Sequence, residues 1–435
     1  MRSIRILVPL HVMPTEKHIT TILFENLLPV LKTKINVEMI WLVYLPAKIN
    51  ISQIPTNLGT ILDIHNFKNF VEVIKNVNPD IIYENEDRGV IDLACKLTAN
   101  QLDIPIIVPI NNSSIKSNFS KHYQFNHILN IIRTFFRKEI SSSEKSQHQK
   151  LFKGSFYLFK FIFLLKTMNI LNLNFIKQLK IFYQVFKSTL SEKPLIYSYS
   201  PNNLYRLESP TLIDPLIKLG FKKSNLYVTG NPMYDQAFKK LKSNKIKKNS
   251  DKIRVLMAPL QLYENGLWSK NHQDYTIKKT ISEICTDFGI LLTIKLHPSS
   301  VNFLDYENLI HDIDSNLKIF QSGDIIDYLI NTDVVVSFPG DSTMFIYALA
   351  LGKPLILCNF FDQTRHQFLE KNLALECTNP KFITDQIKSA ITNNQISIES
   401  VEKFLKENFY KTDGQASERL SDAIIDFLIK QKKLN

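Results

Sequence analysis

Glycine is scarce in this chain. Eleven occur in 435 residues, and no GxGxxG follows the first strand-like run, Ile4 to Val8, which disfavours a nicotinamide-dependent dehydrogenase. Cysteine is scarcer still. Cys95, Cys285, Cys358 and Cys377 lie far apart without CxxC or CxxH spacing, so neither a disulfide framework nor a zinc site is expected and a reducing compartment fits. No apolar run reaches the roughly 18 residues that a spanning helix needs, and the start of the chain reads as a strand, without a signal core or a cleavage site. The expected location is therefore cytoplasmic. Nucleic-acid-binding motifs and internal repeats of fixed period are also missing, so no nucleic-acid partner is expected.

What is present is an α/β alternation in a chain with 44% hydrophobic residues, enough for a large core and two or three domains. Ile4 to Val8, Val37 to Tyr44, Thr60 to Ile64, Asp80 to Tyr83 and Pro105 to Ile110 read as strands, with helices between them from about Lys17, Phe67 and Gly89. Polar residues stand where strands end: His11, Glu16 and His18 after the first, and Glu84, Glu86 and Asp87 after the fourth. In open α/β sheets that edge carries the ligand crevice. Strands resume at Leu195 to Ser198 and Leu226 to Val228, and a lysine-rich, glycine-free stretch follows. Beyond it a second set runs through Ile253 to Met257, Leu291 to Leu296, Leu317 to Phe320, Val334 to Phe338 and Pro354 to Cys358. The expected organisation is a Rossmann-like domain over 1–238, a linker over 239–252, a second Rossmann-like domain over 253–415, and a helix over 416–435 packing back toward the first.

The stretch from Gly323 to Gln363 is the most informative. Val334 to Phe338 is a continuous β-branched and apolar run, as a strand buried on both faces requires. Pro339-Gly340 ends it, Asp341 or Ser342 can cap the helix from Thr343 to Leu351, and Gly352 sits where a left-handed C-cap belongs. A strand, a tight turn and a helix N-terminus bearing Asp-Ser-Thr present backbone N–H groups and hydroxyls to an anion at the sheet edge, and a nucleotide diphosphate would fit there. The plainer reading is that Ser342 and Thr343 only cap a core helix.

The net charge of +12 is concentrated. Residues 113–193 hold 14 Lys or Arg against 3 Glu, so +11 of the excess lies in that segment. Its later part is rich in Phe, Leu and Ile. At about 100° per residue its lysines cluster on faces, which predicts two amphipathic helices able to lie on an anionic membrane through Lys150, Lys153, Lys160, Lys177 and Lys180. An ordinary helical insertion with solvated lysines is the alternative.

YVTGNPMYD, VLMAPLQLYENGLW, IKLHPSS and DYLINTDVVVSFPGDSTMFIYALALGKPLIL, in this order, resemble the GT-B superfamily. More narrowly, they resemble the branch of UDP-N-acetylglucosamine 2-epimerases, CDP-glycerol glycerophosphotransferases and bacterial sialyl- and polysialyltransferases. The resemblance is strongest from Leu226 to Gln363, fainter from Ile4 to Ile110, and absent from 113–193. It implies two Rossmann-like domains facing each other across a cleft, with the basic segment as a helical insertion in the first. It further implies a nucleotide-activated donor held by His297, Pro298, Ser337, Gly340, Asp341, Ser342 and Thr343, interdomain roles for Gly230 and Asn231, and a base for the acceptor hydroxyl among His11, Glu16, Glu86 and Asp87. No metal and no cofactor are expected, because a helix N-terminus and an imidazole can meet the charge on the leaving diphosphate. The epimerases carry Glu-Ala-Gly where this chain has Pro109-Ile110-Asn111-Asn112, and Ser-Gly-Gly where it has Pro339 to Thr343. The expected activity is therefore metal-independent glycosyl transfer to a surface-glycan or lipid-linked acceptor. Epimerisation, glycerophosphotransfer and an inactive binding module are the alternatives.

Overall fold

The computed structural model describes residues 3–15, 18–48, 59–84, 89–111, 153–191, 200–243, 251–264, 267–298, 300, 303–340, 342–361, 366–392 and 396–434. They form two compact units, Met1–Asp235 with Glu407–Asn435, and Gln236–Lys406.

In the first unit, strands β1 (Ile4–Leu10), β2 (Val37–Val43), β3 (Thr60–Asp63), β4 (Ile81–Tyr83), β5 (Ile106–Ile110), β6 (Leu204–Leu207) and β7 (Leu226–Val228) make one sheet in the order β3-β2-β1-β4-β5-β6-β7. Every pairing is parallel. Parallel strands need crossovers, and these cover both faces. Ile4, Ile6, Val8 and Leu10 of β1 join a core with the Ile19–Lys34 and Ala416–Lys430 helices, while Leu7 joins the opposite core with the Phe70–Val77, Val90–Gln101 and Lys153–Ile170 helices.

The second unit repeats the plan. Strands β8 (Ile253–Met257), β9 (Ile290–Lys295), β10 (Lys318–Phe320), β11 (Val334–Ser337), β12 (Leu355–Cys358) and β13 (Leu375–Cys377) run parallel in the order β10-β9-β8-β11-β12-β13. This is the doubly wound order with its reversal between the first and fourth strands, and ligands of such sheets bind outside the strand ends at that switch point. The switch points here lie between β1 and β4 and between β8 and β11. The expected α/β architecture of two Rossmann-like sheets is the observed one.

Two features depart from the sequence reading. The stretch read as linker begins inside a helix, Asp235–Ser243, because DQAFKKLKS buries Ala237 and Phe238 and turns Lys239 outward. The strand β6 was missed, since its Arg206 interrupts the apolar signal. That side chain is fully buried, donates to Gly230 O at 3.3 Å and lies 3.7 Å from Glu208. The strand expected at Leu195 to Ser198 lies outside the described residues.

Candidate active site

At the switch point of the second unit, β11 ends at Ser337 and the chain passes Phe338 to turn through Pro339-Gly340. A Cβ on Gly340 would stand 2.5 Å from Leu260 Cδ1, so any side chain here would make Leu260, in the loop after β8, move aside. Ser342 then caps the eight-residue helix Thr343–Ala350: it is extended at φ −147°, and its Oγ accepts from Met344 N at 3.3 Å. Thr343 is exposed at the first helical position, and Asp341 lies outside the described residues. Ser337, expected to hold donor, does not face solvent. It is 0% exposed and its hydroxyl donates to Ala258 O, tying β11 to the end of β8.

At the end of β9, the buried Lys295 donates to Leu296 O at 3.0 Å and Gln321 O at 2.8 Å. Gln321 Nε2 in turn donates to Ser300 O at 2.7 Å and Pro298 O at 3.3 Å. These bonds hold the His297–Ser300 turn against the end of β10, with His297 and Pro298 exposed on it. An open groove of about 450 Å³ lies alongside, lined by Pro298, Phe303, Ile319, Phe320, Gln321 and Ser322. Apolar walls with one amide and main-chain groups suit a heterocyclic base.

The His297 imidazole is held below its ordinary pKa, first by partial desolvation and then by the Lys295 charge, with Glu264 opposing. It is therefore neutral at pH 7, one ring nitrogen donating and the other accepting. Glu264 itself went unnoticed in the sequence, although it is the one carboxylate between Ala258 and Trp268. It accepts from Tyr306 Oη at 2.7 Å and Gln273 Nε2 at 3.2 Å, and burial with this carboxylate pushes the Tyr306 hydroxyl well above its usual range.

The switch point of the first unit gathers His11, at the end of β1, with His18 and Tyr44. The His11 ring centroid lies 4.8 Å from that of His18 and 6.2 Å from that of Tyr44. His18 caps the Ile19–Lys34 helix, its Nδ1 accepting from Thr20 N at 3.3 Å. Tyr44 Oη donates to Asp92 Oδ2 at 3.0 Å, and Gly89 N donates to the same oxygen at 2.8 Å. Glu84, at the end of β4, is buried 4.0 Å from the equally buried Lys96. Asp92 and Lys96 were missed because they sit inside an otherwise apolar helical pattern. Their i, i+4 spacing was the available signal. Of the expected bases, only His11 is described; Glu16, Glu86 and Asp87 lie outside the described residues.

Gly230 and Asn231, expected between domains, have local roles in the first unit. Gly230 is left-handed at φ +76°, where a Cβ would come 3.3 Å from Phe409 O, and Asn231 Nδ2 donates to Glu208 at 2.7 Å.

The basic segment is corrected in part. Lys150 and the Lys153 side chain lie outside the described residues, and Lys177 and Lys180 are exposed on the Phe175–Ser191 helix. Lys160 turns inward instead, its ammonium over the rings of Tyr44, Phe156 and Tyr157. The Lys153–Ile170 helix is no loose amphipath, because Phe163, Leu164 and Met168 enter the core of the unit. No helix of the described residues is long and apolar enough to cross a membrane.

No protein-family model matches the sequence. Over 219 residues the chain is 26% identical to the teichoic acid ribitol-phosphate polymerase TarK of Staphylococcus aureus strain NCTC 8325 / PS 47, a match that covers 46% of this chain and 40% of that protein. The chain thus spans well under half of that relative. Among solved structures, UDP-GlcNAc 2-epimerase from Neisseria meningitidis, bound to UDP-GlcNAc, superposes with a TM-score of 0.51 at 12% identity, covering 97% of this chain and 100% of that one. The calicheamicin glycosyltransferase CalG4 does so with a TM-score of 0.51 at 12% identity, covering 99% of both chains. Two all-parallel sheets in doubly wound order, each with polar residues gathered at its switch point, give this chain the GT-B fold that these epimerases and glycosyltransferases share.

Proposed function

We propose that the protein is a nucleotide-dependent transferase that moves a sugar or sugar-like group from an activated donor onto a cell-envelope glycan or lipid-linked acceptor. The observation that carries the reading is the carboxyl edge of the second sheet. There a Ser342-capped helix N-terminus follows β11, the neutral His297 ring follows β9, and an open base-sized groove lies at the ends of β9 and β10. Backbone N–H groups and an imidazole N–H would meet the charge that develops on the departing diphosphate. In the first unit His11 is the described candidate to take the proton of the attacking hydroxyl, a contribution of about 10² to 10⁴ in rate. The name of TarK, a polymerase of ribitol phosphate, supports a polymeric envelope acceptor and keeps a polyol-phosphate group open as the moiety transferred. The likeness to UDP-GlcNAc 2-epimerases favours a second reading, epimerisation, against which stands the Pro339-Gly340-Asp341-Ser342-Thr343 turn.

The direct test is thermal shift with a panel of nucleotides and nucleotide-sugars, in which a ligand at 100 times its dissociation constant adds about 2.7 kcal/mol of stability. Stabilisation by none of them would remove the reading. Retention of an isotope label at the sugar C2 during turnover separates transfer from epimerisation. Because protein groups are assigned the diphosphate charge, activity is expected to survive EDTA. Complete loss, restored by Mg²⁺ or Mn²⁺, would reassign that charge to a metal.

The acceptor's lipid linkage is the finer part of the proposal. On the Phe175–Ser191 helix, Phe175, Ile176, Leu179, Tyr183 and Phe186 are all exposed, and at 100° per residue they fall in one stripe about 100° wide. Ile181 and Val185 on another side are buried, and Lys180, with Lys177 beyond it, borders the stripe on one side. An apolar stripe with lysines along one border, in a segment of +11 charge, fits an anionic bilayer surface. Phosphatidylglycerol vesicles are expected to bind the protein at 0.1 M salt, where the Debye length is about 10 Å, and to bind it far less at 1 M, where it is about 3 Å. Changing Phe175, Leu179 and Phe186 to Ser, or Lys177 and Lys180 to Gln, should release it. Vesicle binding that ignores both sets of changes would leave a soluble acceptor.

A further inference from the structure

In the Lys153–Ile170 helix, Phe163, Leu164, Thr167 and Met168 are buried, and they stand three, four, seven and eight residues beyond position 160. That spacing defines the core-facing stripe of a helix, so a hydrophobe belongs at 160. The residue is Lys160. Its Nζ lies 5.7, 4.4 and 5.5 Å from the ring centroids of Tyr44, Phe156 and Tyr157. Ring faces attract a cation but supply no carboxylate or carbonyl oxygen to its three N–H donors. Among the described residues, none forms a hydrogen bond or an ion pair with this ammonium. Burial lowers its pKa, and the nearby Asp92, whose Oδ2 accepts from Tyr44 Oη and Gly89 N, opposes that shift. The half-buried cation thus stands beside Tyr44, whose ring also neighbours His11, at the carboxyl edge of β1 and β2. A lysine on the core-facing stripe, its ammonium half-exposed at this sheet edge and steadied by ring faces, is placed to meet an anion.

We propose that Lys160 forms an oxyanion subsite at this edge of the first sheet that takes a phosphate group of the acceptor, an inference that rests on the transferase reading above. The side chain is a single flexible charge with rotatable donors, suited to a phosphate met from one side rather than to a bidentate carboxylate clamp. The aromatic rings hold the ammonium in place before the ligand arrives, which lowers the ordering cost of binding.

The test is competitive acetylation of the full chain with trace acetic anhydride, read by mass spectrometry, with the exposed Lys166 of the same helix as internal reference. Glycerol 3-phosphate is expected to slow acetylation of Lys160 relative to Lys166 about tenfold once it exceeds its dissociation constant by about ten times. Sodium chloride at the same ionic strength and neutral glycerol should not. Protection by phosphatidylglycerol vesicles without protection by glycerol 3-phosphate would make the phosphate a lipid headgroup, and the reverse would make it part of a soluble or polymeric acceptor. Protection by neither overturns the subsite. A second arm uses Lys160→Met, which should raise Tm by a few degrees and abolish stabilisation by glycerol 3-phosphate, with nucleotide affinity unchanged. A lower Tm with phosphate stabilisation retained would make the lysine merely structural. Nucleotide binding is measured alongside: if it is present and Lys160 stays unprotected, only the subsite fails, whereas its absence removes the transferase reading itself.

Discussion

Replacing His297 by alanine is expected to weaken binding of a nucleotide-sugar by about ten- to a hundredfold, because a hydrogen bond to a charged phosphate contributes about 1.5–3 kcal/mol. The fold should be unaffected, since the ring is exposed on the turn after β9, and that turn is held by Gln321 and Lys295 rather than by the imidazole. The pH dependence gives an independent signature. Desolvation and Lys295 hold the imidazole below its ordinary value of about 6.5, so the folded protein resists its protonation. With the folded pKa depressed, His297 costs stability as pH falls through the unfolded value, and a bound diphosphate relieves that cost by favouring the imidazolium. Affinity for a nucleotide-sugar, whose diphosphate is diesterified, should therefore rise as pH falls from 7 to 5.5, and the rise should vanish in His297→Ala. Calorimetric titration across that range decides it, and equal slopes in both proteins would remove His297 from the donor site. Ser342 is the cap of the adjoining helix, so Ser342→Ala is expected to cost about 0.5–2 kcal/mol of stability as well as affinity. Ser342→Gly combined with Thr343→Ala is the cleaner probe, since glycine at a cap costs only a few tenths of a kcal/mol.

Asp235→Ala is expected to lower Tm by about 5–10 °C. Both carboxylate oxygens of Asp235 are used at the start of the Ala416–Lys430 helix: Oδ1 accepts from Ala416 N at 2.9 Å and Oδ2 from Ser417 N at 2.7 Å. Asp235, Ala416 and Ser417 are all buried, so truncation leaves two N–H groups without water, at about 1–3 kcal/mol each less whatever relaxation recovers. That helix contributes Leu420, Ala423, Ile424, Phe427 and Leu428 to the core beneath β1, so the loss propagates beyond one cap. Asp235→Asn keeps one acceptor and should lose roughly half as much. Differential scanning calorimetry of the two variants is the check, and a Tm for Asp235→Ala within 1 °C of the parent would show that the helix docks by its apolar face alone.

Asp235 shows how the sequence motifs divide. In YVTGNPMYD, read as a signature of the superfamily, the structure gives Gly230 a left-handed turn beside Phe409, Asn231 a bond to Glu208, and Asp235 the cap of a helix some 180 positions away. Nothing in the local pattern could reveal that last partner, because a cap supplied from outside its own helix leaves no trace near Ala416. The same holds for Ser337. It stands in the informative VVVSFPGDST run, yet its hydroxyl is spent on Ala258 O, across the register that pairs Val336 with Met257. Period-2 reasoning says only that such a residue is in a strand; which neighbouring carbonyl it reaches depends on the pairing.

What the sequence alone determined is the succession of elements. Continuous apolar runs such as Val334 to Phe338, punctuated by Pro339-Gly340 and by Gly352, carry their own strand, turn and cap signals within a few residues, and local propensity is physically sufficient there. It also showed the two-fold repetition of an α/β plan and the concentration of charge in 113–193. Only the tertiary structure decided which strands adjoin, and therefore where each sheet reverses and which strand-end residues share an edge. Likewise Arg206 and Lys96, which read as surface charges in any linear scan, lie inside the unit because Gly230 O and Glu84 meet them, and Lys160 turns half inward toward the ring of Tyr44. The free energy of a buried charge depends on what surrounds it in space, and sequence distance carries almost none of that information.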